Sequence, residues 1–289
     1  MAERLTKAQL RQFGKDGYLS PLPLFPYREI RATRRMLEHY EALNGSFPRR
    51  QVLARLSRFK PHLLFHWLDA ICHHPGVLDA VESIIGPDIL IFGSGVTIKN
   101  VGDTTYTPWH QPASFTPFSG GAQVRVVVAV TGCTASSGGG RVLPGSHRQL
   151  YTHEPGPADA KSLLLRPERI AEGLDEAGTV LLEMKAGEMA ILDHRLATCA
   201  GSNKADDRRI DYEITYVTPD SLPDGLTETA GLARGAVGAG KWLLEPRPEP
   251  GATPHAKPAK TAEAAYAAAM AVRWENFSGT AGGANGHAG

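Results

Sequence analysis

Cysteine is scarce: Cys72, Cys133 and Cys199 are the only three in 289 residues. Thiols so few and so scattered build neither a disulfide framework nor a Cys-rich zinc site, and a reducing, cytoplasmic setting is expected. An excess of one charge is also missing, since 31 Lys and Arg stand against 30 Asp and Glu, for a net charge of +1. Nucleic acid and anionic membrane are therefore not expected as partners. Long apolar runs are absent too. Val126–Val130 is typical of the longest, far short of the ~20 residues that span a bilayer. The polar stretch Met1–Arg11 has no apolar segment of the kind a secretory leader needs. What remains, 42% hydrophobic and 21% charged residues, is the composition of a folded globular chain and excludes wholesale disorder or a collagen-like repeat.

Leu5–Phe13 has helical spacing, with Thr6 placed to cap it and Gly17 to end it. Pro21, Pro23 and Pro26 impose an extended passage. Tyr27–Leu43 reads as an amphipathic helix with Ile30, Met36, Leu37, Tyr40 and Leu43 on its apolar face, closed by Asn44-Gly45. Leu63–Ile71 and Pro75–Ile85 read as two more helices. The pattern then changes to short β-branched runs: Ile89–Phe92, Gly95–Asn100, Gln123–Thr131, Gly178–Met184, Glu188–Asp193 and Ile210–Val217. Helices followed by strands exclude a βαβ sheet and favour a β sandwich with helices packed outside. The Pro/Ala/Lys-rich stretch 248–262 reads as a linker and Ala262–Trp274 as a terminal helix. The expected organisation is one domain over 1–275, with a helical part at 5–86, a β core at 87–219 and an extension at 220–275, then a disordered tail at 276–289.

Three stretches carry the chemistry. They are Tyr106-Thr107-Pro108-Trp109-His110-Gln111-Pro112, then Gly139 through Pro144-Gly145-Ser146-His147-Arg148, then Gly187-Glu188-Met189 continuing through His194 to Asn203 and Asp206-Asp207-Arg208-Arg209. In this order and spacing they resemble the phytanoyl-CoA dioxygenase family of iron(II)/2-oxoglutarate oxygenases, most closely bacterial members found beside natural-product genes. The resemblance covers nearly the whole chain. It implies an all-β core, a double-stranded β-helix (a cupin-like jelly roll) flanked by N-terminal α-helices, with the site at its mouth.

The resemblance also implies a ligand set: a His-x-Asp pair and a distant His that leave positions open for 2-oxoglutarate and oxygen. Here His110 matches the first ligand, Pro112 stands where the Asp should be, and Thr198 stands where the distant His should be, while Arg209 matches the oxoglutarate-binding Arg. The halogenase branch of the family lacks only the carboxylate. This chain also lacks the second His, so halogenation is not expected. No metal ligand set and no cofactor are expected, although iron and 2-oxoglutarate serve the family. His194 is the best alternative ligand. Read as lying on one strand with Thr198, it would sit about 13 Å away, too far to substitute. Cys199 should face away from Thr198.

His110, Thr198 and His194 are the candidate catalytic side chains, with His110 able to serve near neutrality as acid or base. It can equally be a hydrogen-bonded structural residue. Arg209, Gln111, Tyr106, Trp109 and Phe115 are the candidate substrate-binding residues. Arg209 either meets a carboxylate or forms an internal ion pair with Asp211 or Glu213, and the aromatics either line a pocket or belong to the core. The Ser136–Gly140 run lacks the ending of a phosphate loop and reads as a turn. The expected function is a metal-independent, redox-neutral cyclase, isomerase or lyase acting on a small natural-product intermediate. Two alternatives stay open: a non-catalytic ligand-binding or oxygenase-partner subunit, and an iron oxygenase with unusual ligands. A small-molecule substrate is the expected partner, with a homo-oligomer or an oxygenase partner left open.

Overall fold

Helix α1 (Lys7–Asp16) starts where the sequence predicts. The Thr6 hydroxyl accepts the Gln9 amide while the Gln9 side chain accepts the Thr6 amide, a reciprocal capping box. Gly17, at φ 79°, ends the helix in the left-handed region that favours glycine. The proline-rich passage becomes β1 (Tyr18–Pro23), an edge strand, where a missing N–H is tolerated. Helix α2 (Tyr27–Leu43) buries Ile30, Thr33, Leu37 and Tyr40, while Leu43, expected on the apolar face, is exposed. A 3-10 turn at Pro61–Leu63 precedes α3 (His66–Cys72), so the predicted helix at 63–71 begins later, after extended Phe65. Helix α4 (Pro75–Ile85) has its predicted bounds. This computed structural model describes residues 4–43, 59–156, 159–164, 168–238, 240–249 and 260–282. The predicted Asn44-Gly45 stop and most of the predicted linker lie outside them.

The strands follow: β2 (Ile89–Lys99), β3 (Thr107–His110), β4 (Gln123–Ala129), β5 (Gly140–Val142), β6 (His153–Pro155), β7 (Glu168–Ile170), β8 (Val180–Leu181), β9 (Glu188–Asp193), β10 (Thr198–Ala200), β11 (Arg209–Val217), β12 (Glu228–Arg234) and β13 (Trp242–Leu244). β2 is one strand rather than the predicted two. Gly93 does not break it; the missing side chain admits the Phe59 ring, which a Cβ would strike. A seven-stranded sheet has the order β1-β9-β4-β11-β2-β12-β13, and a four-stranded sheet the order β3-β10-β5-β8. These two sheets, with helices outside, are the jelly roll and flanking helices that the sequence predicts. Helix α5 (Lys260–Gly282) closes the described chain, so residues 276–282, expected to be disordered, are helical. No helix among the described residues is long and apolar enough to cross a membrane.

β11 sets the two environments of the larger sheet by strand alternation. Ile210, Tyr212, Ile214 and Tyr216 join Val124, Val126 and Val128 of β4 in the main core, against Phe13, Ile30, Leu37, Leu68 and Val81 of the helices. Arg209, Asp211, Glu213 and Thr215 point the other way, toward the smaller sheet. Two ion pairs fix α2 to the loop before β11: Arg34 with Asp207 at 2.7 Å and Arg208 with Glu41 at 2.7 Å. Asn203, buried in that loop, donates to the carbonyls of Lys99, Asn100 and Asp207, which sets the register of the chain entering β11.

Candidate active site in the cleft between the sheets

β3 and β10 are neighbours in the smaller sheet, and Thr198 is the cross-strand partner of His110. Directly opposed residues of an antiparallel pair share a face, so both side chains look toward the inner face of the larger sheet. His110 is buried, with Nδ1 2.9 Å from the Pro108 carbonyl. That carbonyl can take the Nδ1 proton, and the Thr198 carbonyl also lies within hydrogen-bond reach of the ring. Phe115 stacks on the His110 ring with centroids 5.9 Å apart.

His194 lies near enough to His110 for the two imidazoles to feel each other. The sequence reading placed His194 and Thr198 on one strand. A turn at residues 194–196 instead carries the chain from β9 in the larger sheet to β10 in the smaller one. The turn is held by the Pro144-Gly145-Ser146-His147 stretch, where Ser146 Oγ accepts the Ala197 amide and donates to the Leu143 carbonyl. His194 is buried with Nε2 3.1 Å from Thr116 Oγ1. Thr116 Oγ1 also donates to the Ala113 carbonyl at 3.3 Å. It therefore accepts the His194 Nε2 proton, leaving Nδ1 as a buried lone pair without a partner.

Arg125, on the inner face of β4, is a functional candidate that sequence reasoning missed. It is 5% exposed, and Nη1 donates to Glu213 Oε1 at 3.0 Å. Burial first and the Arg125 charge second hold the His110 imidazole down at about 4. Burial, then Arg125 and His110, holds His194 at about 3. The expectation of a near-neutral His110 is thus corrected: both rings are uncharged at pH 7, with no proton to give as an acid, and the burial and charge that keep them so also weaken them as bases. The signal in the sequence was a lone Arg at an alternating position of an otherwise apolar strand.

The remaining predicted residues divide. Trp109 neighbours His110 on a strand and so faces away, packing with Leu143, Ile170 and Ala197, the core alternative of the sequence reading rather than the pocket one. Gln111 is fully buried and engaged throughout, donating to the Gln149 and Arg195 carbonyls at 2.8 and 2.6 Å and accepting the Tyr151 amide at 2.8 Å. Its amide N–H goes to His153 Nε2 at 2.9 Å. It is a structural clamp with no group left for a substrate. Tyr106 directs its hydroxyl to Asp159 at 2.7 Å on the exposed side. Arg209 pairs with Asp211 at 2.9 Å and donates to the Gly138 carbonyl, the internal ion pair weighed in the sequence reading. Lys99 lies opposite Arg209, where burial and then the Arg209 charge lower its ammonium to about 8. Cys199 faces away from Thr198 as expected, pairing with Arg141, and burial pushes its thiol up to about 11, so it is no nucleophile.

The structure therefore brings together His110, Thr198, His194 and Phe115, and adds Arg125, Glu213 and Thr116. On the facing sheet Gly95, Thr97, Glu213 and Thr215 stay partly exposed, so the cleft reaches solvent along this side. Two surface hollows of about 520 and 420 Å³ lie elsewhere, one lined by Pro87, Asp88 and Asp220, the other by Tyr151, Glu154 and Glu172. Neither includes the histidine pair. Among the described residues no group of three or more His, Cys, Asp or Glu side chains could hold a metal ion.

Two packed sheets of this order, with helices outside and polar side chains between them, define the double-stranded β-helix of the 2-oxoglutarate oxygenases. The comparisons bear this out and give the family: residues 13–210 match the model of phytanoyl-CoA dioxygenase (PhyH), and the chain belongs to that family. Comparison by sequence with curated proteins gives no match. Among solved structures, the non-heme monooxygenase ThoJ in its apo form is 28% identical, covering 95% of this chain and 99% of its own, with a TM-score of 0.81. The ThoJ nickel complex is also 28% identical, covering 94% of this chain and 99% of its own, with a TM-score of 0.75. SnoK, an alpha-ketoglutarate dependent carbocyclase from nogalamycin biosynthesis, is 20% identical over 77% of this chain and 88% of its own, at TM-score 0.58. EctD from S. alaskensis in its apoform is 16% identical over 75% of this chain and 78% of its own, at TM-score 0.58. The last two share the fold alone.

Proposed function

We propose that this PhyH-family protein is a metal-independent, redox-neutral enzyme that cyclises, isomerises or eliminates within a small biosynthetic intermediate held in the cleft. The observation that carries the reading is the pairing of Thr198 with His110. A facial triad needs two imidazoles and a carboxylate converging on one ion. At this strand pair the donor set is one imidazole, a threonine hydroxyl and, two residues beyond His110, a proline. The buried Arg125 cation, felt by both imidazoles, further disfavours a divalent cation between them. The residues present do not fit iron(II), and no step is routed through it.

The chemistry left is proton transfer in a positively polarised cleft. His110 accepts a proton from a substrate C–H or O–H. The negative charge that develops lies near Arg125, which stabilises it, and the imidazolium returns the proton to another substrate atom. Bonds rearrange with no net oxidation. Phe115 supplies an apolar wall that holds the substrate beside the base.

Anaerobic titration of the purified protein with iron(II) and then 2-oxoglutarate, with elemental analysis of the protein as isolated, tests this. The expected result is no stoichiometric iron. Tight binding of one iron per chain would overturn it. That outcome would favour a second reading, an oxygenase with unusual ligands, which rests on the 28% identity to a non-heme monooxygenase also seen as a nickel complex. His194 would then be the first residue to test as a ligand.

A further inference from the structure

The guanidinium edge of Arg125 is the one place among the described cleft residues where two adjacent donors of a buried cation both lack a partner. Nη1 is held by Glu213, whereas Nε and Nη2 are buried and have no partner. These two N–H groups lie side by side on one edge of the planar group, the edge that grips a carboxylate through two parallel hydrogen bonds. Arg209, the residue that the sequence offers as a carboxylate binder, is by contrast engaged by Asp211 and the Gly138 carbonyl. A buried cation with two unmade charged hydrogen bonds is a costly arrangement that a complementary ligand relieves.

We infer that Arg125 is the anchor for a carboxylate on the substrate, which lies with that group on the Nε–Nη2 edge and its apolar body against Phe115 and Phe118, between His110 and His194. The surroundings favour this chemical class. Phe115 stacks on His110, and Phe118 lies 5.6 Å from the His194 ring, so the flanks are apolar. The two imidazoles are neutral and add no charge. A single planar edge with one cation matches a monoanionic carboxylate better than a phosphate, which draws several cations. Glu213, with a 40% exposed side chain, can swing toward solvent without being stranded. It is therefore a competing internal carboxylate that a ligand can partly displace.

This inference rests on the proposed use of the cleft for a small molecule, but its test does not depend on turnover. Acetate and 3-phenylpropionate are titrated into chelator-treated protein alongside acetamide and 3-phenylpropionamide, following the arginine Nε–H and histidine ring signals by NMR. The acids should bind saturably and at least about tenfold more tightly than the amides. Arg125→Gln should lose about tenfold in acid affinity, and Arg125→Lys should keep part of it because the charge remains but the fork does not. Glu213→Gln should bind the acids a few-fold more tightly. The histidine signals should titrate at higher pH when acid is bound.

Equal binding of acid and amide, or no saturable response to either acid, overturns the inference. So does unchanged acid binding in Arg125→Gln with a native melting profile. If that variant does not fold, unchanged affinity in Glu213→Gln overturns it. Stoichiometric iron together with Arg125-dependent acid binding would sink the redox-neutral reading and leave the anchor standing. No iron, with acid binding indifferent to Arg125, would do the reverse.

Discussion

The two faces of β11 are made by alternate residues of one nine-residue strand, yet they answer to different demands. Outward, Ile210, Tyr212, Ile214 and Tyr216 are fully buried against the helices. Even the polar atoms there are matched, with the Tyr216 hydroxyl on the Cys72 carbonyl at 2.7 Å and the Tyr212 hydroxyl 3.1 Å from Cys72 Sγ. Inward, Arg209, Asp211 and Glu213 meet Lys99 and Arg125, and the matching is partial: Asp211 Oδ1 and two nitrogens of Arg125 have no partner. A face that serves only stability satisfies its polar groups. The inner face keeps buried polar groups unmatched where the outer face of the same strand does not.

The largest expected effect lies in breaking a charge pair on the inner face. Asp211→Ala leaves Arg209 buried beside Lys99 without its counter-ion, and should cost about 3–5 kcal/mol of unfolding free energy in urea. Asp211 is itself poorly compensated, because burial raises its carboxyl above the usual range despite Arg209. Replacing it together with its partner by apolar residues should therefore recover most of the loss. On the outer face Ile214→Ala should cost about 2–5 kcal/mol through a cavity alone, with no change in carboxylate binding. An Asp211→Ala loss below about 1 kcal/mol would show that the inner charges are solvated and the contrast between the faces is false.

The second test is pH. His110 and His194 are depressed in the fold, from 6.5 to about 4 and about 3. The unfolded chain therefore binds more protons than the folded chain between pH 6.5 and about 4, and stability falls as pH drops through that window. Each group contributes a slope of up to about 1.4 kcal/mol per pH unit. Asp211, with its raised carboxyl, acts in the opposite direction, so the diagnostic is a difference. His110→Gln should flatten the dependence between pH 4 and 6.5 relative to the unaltered protein. An unchanged slope in urea unfolding would mean that His110 is solvated rather than enclosed.

The outer face and the helices were legible in the sequence for a physical reason. Helical and strand periods recur several times in α2, α4, β9 and β11, and capping residues such as Thr6 and Gly17 mark the ends. Of the smaller sheet only β8 falls within a predicted strand, Gly178–Met184. β3, β5 and β10 have four, three and three residues, too few for a period to show. Its motif residues were nonetheless visible, which is why His110, Thr198 and Phe115 were found together. Trp109 and Gln111 were misplaced because they were read by proximity in sequence to His110. Alternation alone would have turned Trp109 away, but only tertiary structure reveals that the Gln111 side chain is engaged by the Gln149 and Arg195 carbonyls and the Tyr151 amide. His194 was read onto one strand with Thr198 because the crossing between sheets at residues 194–196 leaves no period of its own. Arg125 was hidden by the valines around it, whose apolar pattern reports the outer face.

The smallest expected effect is at Tyr106, and its smallness is informative. This residue stands four positions before His110, and the motif suggests a pocket aromatic. In the structure its backbone bridges Ser162 and its hydroxyl bonds to Asp159 on the exposed side. Water competes for both partners of that bond, so its net contribution is slight. Tyr106→Phe removes only the hydroxyl and keeps the ring. The melting midpoint and the affinity for 3-phenylpropionate should both stay within experimental error of the unaltered protein. A loss of acid binding comparable with that in Arg125→Gln would place the Tyr106 segment across the cleft when ligand is bound. The line between a ligand-shaped inner face and an inert exterior would then have to be redrawn to include the 104–116 stretch as part of the site.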